Sequence, residues 1–243
     1  MPLATGSGKT TTLYTVLQEL NKIEKNIITI EDPVEYKLNG INQVQINTKA
    51  GFTFASGLRS ILRQDPDIIM LGEIRDNETA EIAIRAAITG HLVLSTLHTN
   101  DSPSSVARLV DMGIEPYLVS SAVIGVVSQR LVKLLCPKCK MQYEASLLEK
   151  KVLGIDVDEK IILNKAVGCS SCNKGYKGRT AIHELMTINE NIRLLIDKGV
   201  NIDELRKRAI EDGMITLLQS AAAVAINGDT SYNEVLRVGF TLG

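Results

Sequence analysis

Tryptophan is absent from this 243-residue chain, phenylalanine occurs three times, and aromatic residues total 4%. That scarcity leaves no broad stacking surface for nucleic-acid bases. Neither sign of charge dominates, since 27 Lys and Arg stand against 28 Asp and Glu for a net charge of −1. The balance argues against broad binding to nucleic acid or to an acidic membrane surface. Apolar runs such as AVIGVV, from Ala122 to Val127, fall far short of the roughly 20 residues that cross a bilayer. No basic stretch followed by an apolar one opens the chain, so no signal peptide is visible and the chain reads as cytoplasmic. Cysteine is confined to two close pairs, Cys136/Cys139 and Cys169/Cys172. In a cytosolic chain that spacing points to metal before disulfide. What remains is ample for a core: 44% of residues are hydrophobic and 23% charged, enough for one large domain or for one domain with a small one appended.

Apolar residues Leu13, Val16, Leu17 and Leu20 recur at helical spacing between Gly8 and Lys22, which predicts an amphipathic helix. NIITIEDP reads as a buried strand closed by Pro33. In VEYKLNGINQVQI, Asn39-Gly40 stands between two strand-like runs and predicts a projecting hairpin. FASGLRSILRQ and NETAEIAIRAAITG read as helices, DIIMLGE and HLVLSTLH as two further buried strands. Alternating helices and apolar strands predict an α/β fold with a mostly parallel sheet over residues 1–135, with functional residues at the carboxyl ends of the strands. Glu31, Glu73 and His98 fall there. Residues 136–176 hold the cysteines around a charged middle and read as a small subdomain. Residues 177–243 read as a strand, in GRTAIHELM, followed by helices broken at Gly199, Gly213 and Gly228.

TGSGKTTT, from Thr5 to Thr12, has the features of a phosphate-binding loop. Successive backbone N–H groups in a glycine-rich turn cradle anionic oxygens, and the helix behind them adds a favourable dipole. Thr5, Gly6, Ser7 and Gly8 would form the turn, Lys9 would reach the β- and γ-phosphates, Thr10 would hold Mg²⁺, and Thr11 would serve the α-phosphate side. Leu3 stands where such a loop has its first glycine, and no strand precedes it. The expectation is a nucleotide site with its front edge cut away. Hydrolysis of a γ-phosphate calls for a carboxylate near Mg²⁺ and another that orients water; Glu31 and Glu73 are placed for both tasks, and the two roles could be exchanged.

LRQDPDIIMLGEIRD, ITIEDPVEY and GHLVLSTLHTNDSPSSVARLVDMG, together with TGSGKTTT and the cysteine pairs, resemble the secretion ATPases that power type II secretion and type IV pilus assembly. The resemblance covers nearly the whole chain. It implies a RecA-like P-loop ATPase core, with an inserted four-cysteine zinc subdomain and a C-terminal helical region. It also implies a homo-hexamer at the cytoplasmic face of the inner membrane, acting on a platform protein and moving pilin or pseudopilin with ATP and Mg²⁺. By matching positions, Glu31 would polarise water, Glu73 would support the Mg²⁺ shell, and His98 would sense the γ-phosphate, with His91 less directly involved. A histidine at a strand end is otherwise a hydrogen-bonded structural residue, the reading preferred for His183. Arg59, Arg63 and Arg75 are candidates for a charge at the γ-phosphate, or are simply ion-pair partners. Family members carry further N-terminal domains that supply arginines, so a chain without them is expected to be a poor ATPase. TLYTVL, IEDPVEY and ARLVDMGIEPYLVSSA lean toward the secretion branch.

The cysteines form C-x₂-C-x₂₉-C-x₂-C. Four thiolates from Cys136, Cys139, Cys169 and Cys172 would close a tetrahedral zinc shell with no open coordination position; disulfides, a redox pair or free thiols are the alternatives. A pilus-retraction or DNA-uptake motor is the second function the residues allow. A zinc-ribbon nucleic-acid module with a vestigial nucleotide site is the third, Lys138, Lys140, Lys174 and Lys177 lying near the cysteines. No direct contact with nucleic acid is expected under the leading reading.

Overall fold

The computed structural model describes residues 7–199 and 201–240. The expectations for Leu3, Thr5 and Gly6 lie outside them. The first helix, α1 (Lys9–Leu20), is followed by β1 (Ile27–Glu31) and β2 (Asn42–Gln45). Then come α2 (Phe54–Ile61), β3 (Ile68–Leu71), α3 (Asn77–Ile88) and β4 (Leu92–Ser95). The four strands form one parallel sheet in the order β2-β1-β3-β4. β1 and β3 are central and buried along their whole length, as expected for β-branched and aliphatic runs covered on both faces. β4 is half-buried, because it lies at the sheet edge.

Two local expectations are corrected. The Asn39-Gly40 hairpin does not form: the chain turns there, but β2 runs parallel to β1, with Ile28 opposite Asn42 and Glu31 opposite Gln45. The apolar residues flanking the turn explain this, since Leu38 and Ile41 are buried against Tyr14 and Leu17 instead of pairing with each other. On α1 the buried residues are Tyr14 and Leu17, while Val16 is largely exposed. Leu13 and Leu20 pack against the same cluster, so the predicted inward face forms with Tyr14 in place of Val16.

The chain continues through α4 (Ser102–Asp111), α5 (Pro116–Ala122) and the long strand β5 (Gly125–Leu135). The cysteine segment contributes β6 (Met141–Glu144), α6 (Leu147–Leu153) and β7 (Ile162–Lys165), β6 and β7 pairing antiparallel. β8 (Tyr176–Thr187) returns antiparallel to β5, Gly125 opposite Thr187 and Gln129 opposite His183. Four helices follow: α7 (Glu190–Asp197), α8 (Ile202–Glu211), α9 (Leu217–Ile226) and α10 (Tyr232–Phe240). The breaks predicted at Gly199, Gly213 and Gly228 are observed, each glycine having positive φ just beyond a helix end, where a side chain would be strained.

Two hydrophobic clusters join the halves. Ala80, Val106, Val119, Met186, Ile192 and Leu205 unite α3, α4 and α5 with β8, α7 and α8. Val132, Leu163, Ile182, Ala221 and Val235 unite the β5–β8 ribbon with β7, α9 and α10. Glu184, buried on β8, accepts from the backbone N–H of Ser102 at 2.8 Å and of Leu217 at 3.2 Å. One carboxylate thus ties the starts of α4 and α9, where the helix dipoles favour negative charge. Among the described residues no helix is long and apolar enough to cross a membrane.

Candidate active site

The turn at Ser7-Gly8 feeds directly into α1. Gly8 has φ +83°, a backbone state that suits glycine. A Cβ there would also lie 2.8 Å from Gln129 Nε2. Among the described residues no side chain caps α1, so its first N–H groups present positive potential to the cleft. Lys9 and Thr10, the first two residues of α1, line that cleft.

Opposite them stand the carboxyl ends of three parallel strands. Glu31 closes β1 and is 3% exposed. Three neutral donors hold its carboxylate: the Tyr14 hydroxyl on Oε2, and Thr29 Oγ1 at 2.6 Å and Gln43 Nε2 at 3.1 Å on Oε1. Burial, and then the bond to Glu31, push the Tyr14 phenol up to about 12. Tyr14 therefore stays a proton donor to Glu31 at neutral pH.

Glu73 lies in the turn after β3, and His98 in the turn after β4. The two turns are laced together by Thr96, whose hydroxyl donates to Gly72 O at 2.7 Å while its carbonyl accepts from Ile74 N at 3.0 Å. This brings His98 Nε2 to 3.0 Å from Glu73 Oε2, with Arg75 paired to Oε1. Burial would raise the Glu73 pKa, but the bonds from Arg75 and His98, and their charge, outweigh it and hold the carboxyl below its usual value. Lys9 is lowered, chiefly by burial; the negative charge of Glu73 opposes the shift and the positive charge of Arg130 adds to it.

One cleft is thus lined by Lys9, Thr10, Glu31, Glu73 and His98, with Tyr14 beside them. Among the described residues, the other sequence candidates do not line it. Thr11 is exposed, and the Ser7 carbonyl accepts from Gln129. His91 sits behind the end of α3, its Nδ1 3.0 Å from Ala86 O. Arg59 pairs with Glu78 at 2.6 Å and Arg75 with Glu73, so both are ion-pair partners here. His183 contacts Gln129 at 3.1 Å. Sequence reasoning did not single out Tyr14, Thr29, Gln43, Gln129 or Arg130. The only signal for the last two was the polar pair Gln129-Arg130 inside the apolar strand GVVSQRLVKLL.

Hydroxyl and carboxylate oxygens facing one cleft are the hard donors that suit Mg²⁺ beside phosphate and water, so Thr10 and Glu73 fit that ion. Elsewhere, Cys136, Cys139, Cys169 and Cys172 bring their four sulfurs within 4.8 Å of one another. Individual separations are 4.0 Å for Cys136–Cys169, 3.8 Å for Cys139–Cys172 and 3.7 Å for Cys169–Cys172. A regular tetrahedron with zinc–sulfur bonds of about 2.3 Å has edges of about 3.8 Å. The thiols fit a closed zinc shell, and none of them is disulfide-bonded.

Comparison with known proteins agrees with this architecture. The profile of the family described as "Type II/IV secretion system protein" matches residues 3–237. The type II secretion system protein E of Pseudomonas aeruginosa is 52% identical over 235 residues, covering 96% of this chain and 47% of the relative. The type IV pilus assembly ATPase PilB of Myxococcus xanthus is 49% identical over 237 residues, covering 96% and 42%. The chain spans about half the length of the curated relatives it matches. Among solved structures, the pilus retraction motor PilT with bound ADP superposes with a TM-score of 0.72 at 30% identity, covering 96% of this chain and 58% of that one. The Legionella pneumophila ATPase DotB shares the fold, with a TM-score of 0.69 at 23% identity over 98% of this chain and 58% of that one.

Proposed function

The chain belongs to the type II/IV secretion system protein family, and from that premise we propose that it is an ATP-hydrolysing motor protein that powers type II protein secretion or type IV pilus assembly. The observation that carries the reading is the meeting of Lys9, Thr10, Glu31, Glu73 and His98 in one cleft at the carboxyl ends of parallel strands. The ADP bound in the related PilT structure supports a nucleotide as the ligand.

In this reading Lys9 neutralises the β- and γ-phosphates, while Thr10 and Glu73 hold Mg²⁺. The ion supplies further neutralisation and fixes the phosphate oxygens. Water forms its bond to the γ-phosphorus as the bond from that phosphorus to the β–γ bridging oxygen breaks; ADP leaves with the bonding pair, and Glu31 takes the proton that water loses. The electrostatics favour this division between the carboxylates. Glu73 is held low by Arg75 and His98, which makes it a poor proton acceptor. Among the described residues, Glu31 is held by neutral donors. His98, bonded to Glu73, is positioned to register charge at the γ-phosphate.

The same proposal includes a homo-hexamer at the cytoplasmic face of the inner membrane, acting on a platform protein and through it on pilin or pseudopilin. It takes residues 1–135 as the ATPase core, 136–176 as a structural zinc module and 177–243 as a C-terminal region. The test is magnesium-dependent ATP turnover by the purified protein. Lys9→Ala is expected to abolish it. Glu31→Gln is expected to slow turnover by about 100-fold or more, the range for loss of a general base, while retaining nucleotide binding. Turnover persisting in pure Lys9→Ala protein would remove the phosphate-loop assignment.

A further inference from the structure

Gln129 sits on β5 and is 7% exposed, yet it contacts a turn more than a hundred residues away. Its Nε2 donates to the Ser7 carbonyl at 2.7 Å, and its Oε1 accepts from the Thr12 hydroxyl at 2.7 Å. On the paired strand, His183 Nε2 lies 3.1 Å from the same Oε1, so His183 donates there. The backbone N–H of His183 in turn lies 3.4 Å from Ser220 Oγ on α9. The Ser7 carbonyl, which can only accept, determines the amide orientation: turned over, the amide oxygen would face that carbonyl. The fit is close, because a Cβ on Gly8 would come within 2.8 Å of Gln129 Nε2.

Ser7 and Thr12 bracket Gly8, Lys9 and Thr10, so Gln129 grips the turn on both sides of the residues that enter the cleft. Neither Gln129 nor His183 lines the cleft itself. We infer that Gln129 is a positioning residue that holds Ser7, Gly8 and the first turn of α1 in their phosphate-binding shape, with His183 as a further contact to its amide oxygen. The nucleotide affinity of the cleft is then set in part by the β5–β8 ribbon. The inference rests on reading the cleft as a nucleotide site. Its physical content is a change in the population of a binding-competent turn: without the strut the turn samples other shapes, and the apparent affinity falls by the competent fraction.

The experiment titrates a fluorescent ATP analogue with magnesium into the protein and its variants, and records the melting temperature of each without nucleotide. Gln129→Ala and Gln129→Glu are expected to raise Kd about tenfold, the second because its added oxygen faces the Ser7 carbonyl. His183→Phe, which keeps the ring but loses the donor, is expected to weaken binding, and His183→Gln, which restores an N–H at that place, to recover it. A purely structural role would lower the nucleotide-free melting temperature and leave Kd unchanged. If wild type binds, Lys9→Ala does not, and both Gln129 variants stay within twofold of wild type, the strut is refuted while the nucleotide site stands. If wild type itself fails to bind, the nucleotide reading falls and this inference with it. Should the Gln129 variants fail to fold, an unchanged Kd in Thr12→Val, which keeps the shape but removes the hydroxyl that donates to Gln129, refutes the strut.

Discussion

Removal of the zinc proposed for the four cysteines probes a well-defined part of the structure. The sulfur separations of 3.7 to 4.0 Å match the edge of a tetrahedral zinc–thiolate shell, about 3.8 Å. Structural zinc contributes roughly 10–16 kcal/mol of binding free energy in small modules, so losing one of four ligands costs roughly 3 kcal/mol. The cost should reach beyond the module. Cys136 N donates to Gly175 O and Leu135 N to Asp229 O, both at 2.8 Å, and Ala145, Leu153 and Leu163 share a core with Ala221 and Val235. At about 2–4 °C per kcal/mol for a chain of this size, Cys→Ser is expected to lower the melting temperature by about 6–12 °C. The assay is metal analysis of reduced protein together with thermal unfolding followed by circular dichroism, before and after a strong chelator. Cys136 is buried and Cys169 exposed, which separates metal binding from packing. Zinc predicts near-equal losses in Cys136→Ser and Cys169→Ser, whereas packing alone predicts a loss only at Cys136. Folded, reduced wild type with far less than one zinc per chain and a melting temperature indifferent to chelator would refute the reasoning.

Two further outcomes are expected. The Glu73 carboxyl is held below its ordinary value of 4.5, since Arg75 and His98 overcome the effect of burial; its contribution to stability is therefore complete above pH about 4.5 and lost as pH falls through the lower folded value. Urea midpoints at pH 7 and pH 4 should show a smaller acid loss in Arg75→Ala than in wild type, because that variant has less of this stabilisation to lose. Glu184→Ala should cost about 2–4 kcal/mol in urea unfolding, since it leaves the buried N–H groups of Ser102 and Leu217 without their acceptor, with Glu184→Gln milder because an amide oxygen still accepts.

How much of this was legible in the sequence follows from the range of the contacts involved. Ile27–Glu31, Ile68–Leu71 and Leu92–Ser95 each announce themselves as β-branched or aliphatic runs between helices, and parallel βα order then puts Glu31, Glu73 and His98 at one end of the sheet. The cysteine pairs were equally plain, because a C-x₂-C loop bites one ion almost independently of what lies between the pairs. The Asn39-Gly40 turn misled because hairpin chemistry is local, whereas the burial of Leu38 and Ile41 beside Tyr14 is tertiary. Gln129 was out of reach for the same reason: its partners Ser7, Thr12 and His183 come from both ends of the chain, and no periodicity records such a meeting. Tyr14 looked like any aromatic on an amphipathic helix until β1 placed Glu31 against its hydroxyl.

The most direct test of the central claim is a structure of the protein with magnesium and a non-hydrolysable ATP analogue. The β- and γ-phosphates are expected against Lys9 and Thr10, with Glu31 and Glu73 on the far side of the terminal phosphate. Nucleotide bound elsewhere, or bound with its phosphates turned away from those carboxylates, would contradict the claim.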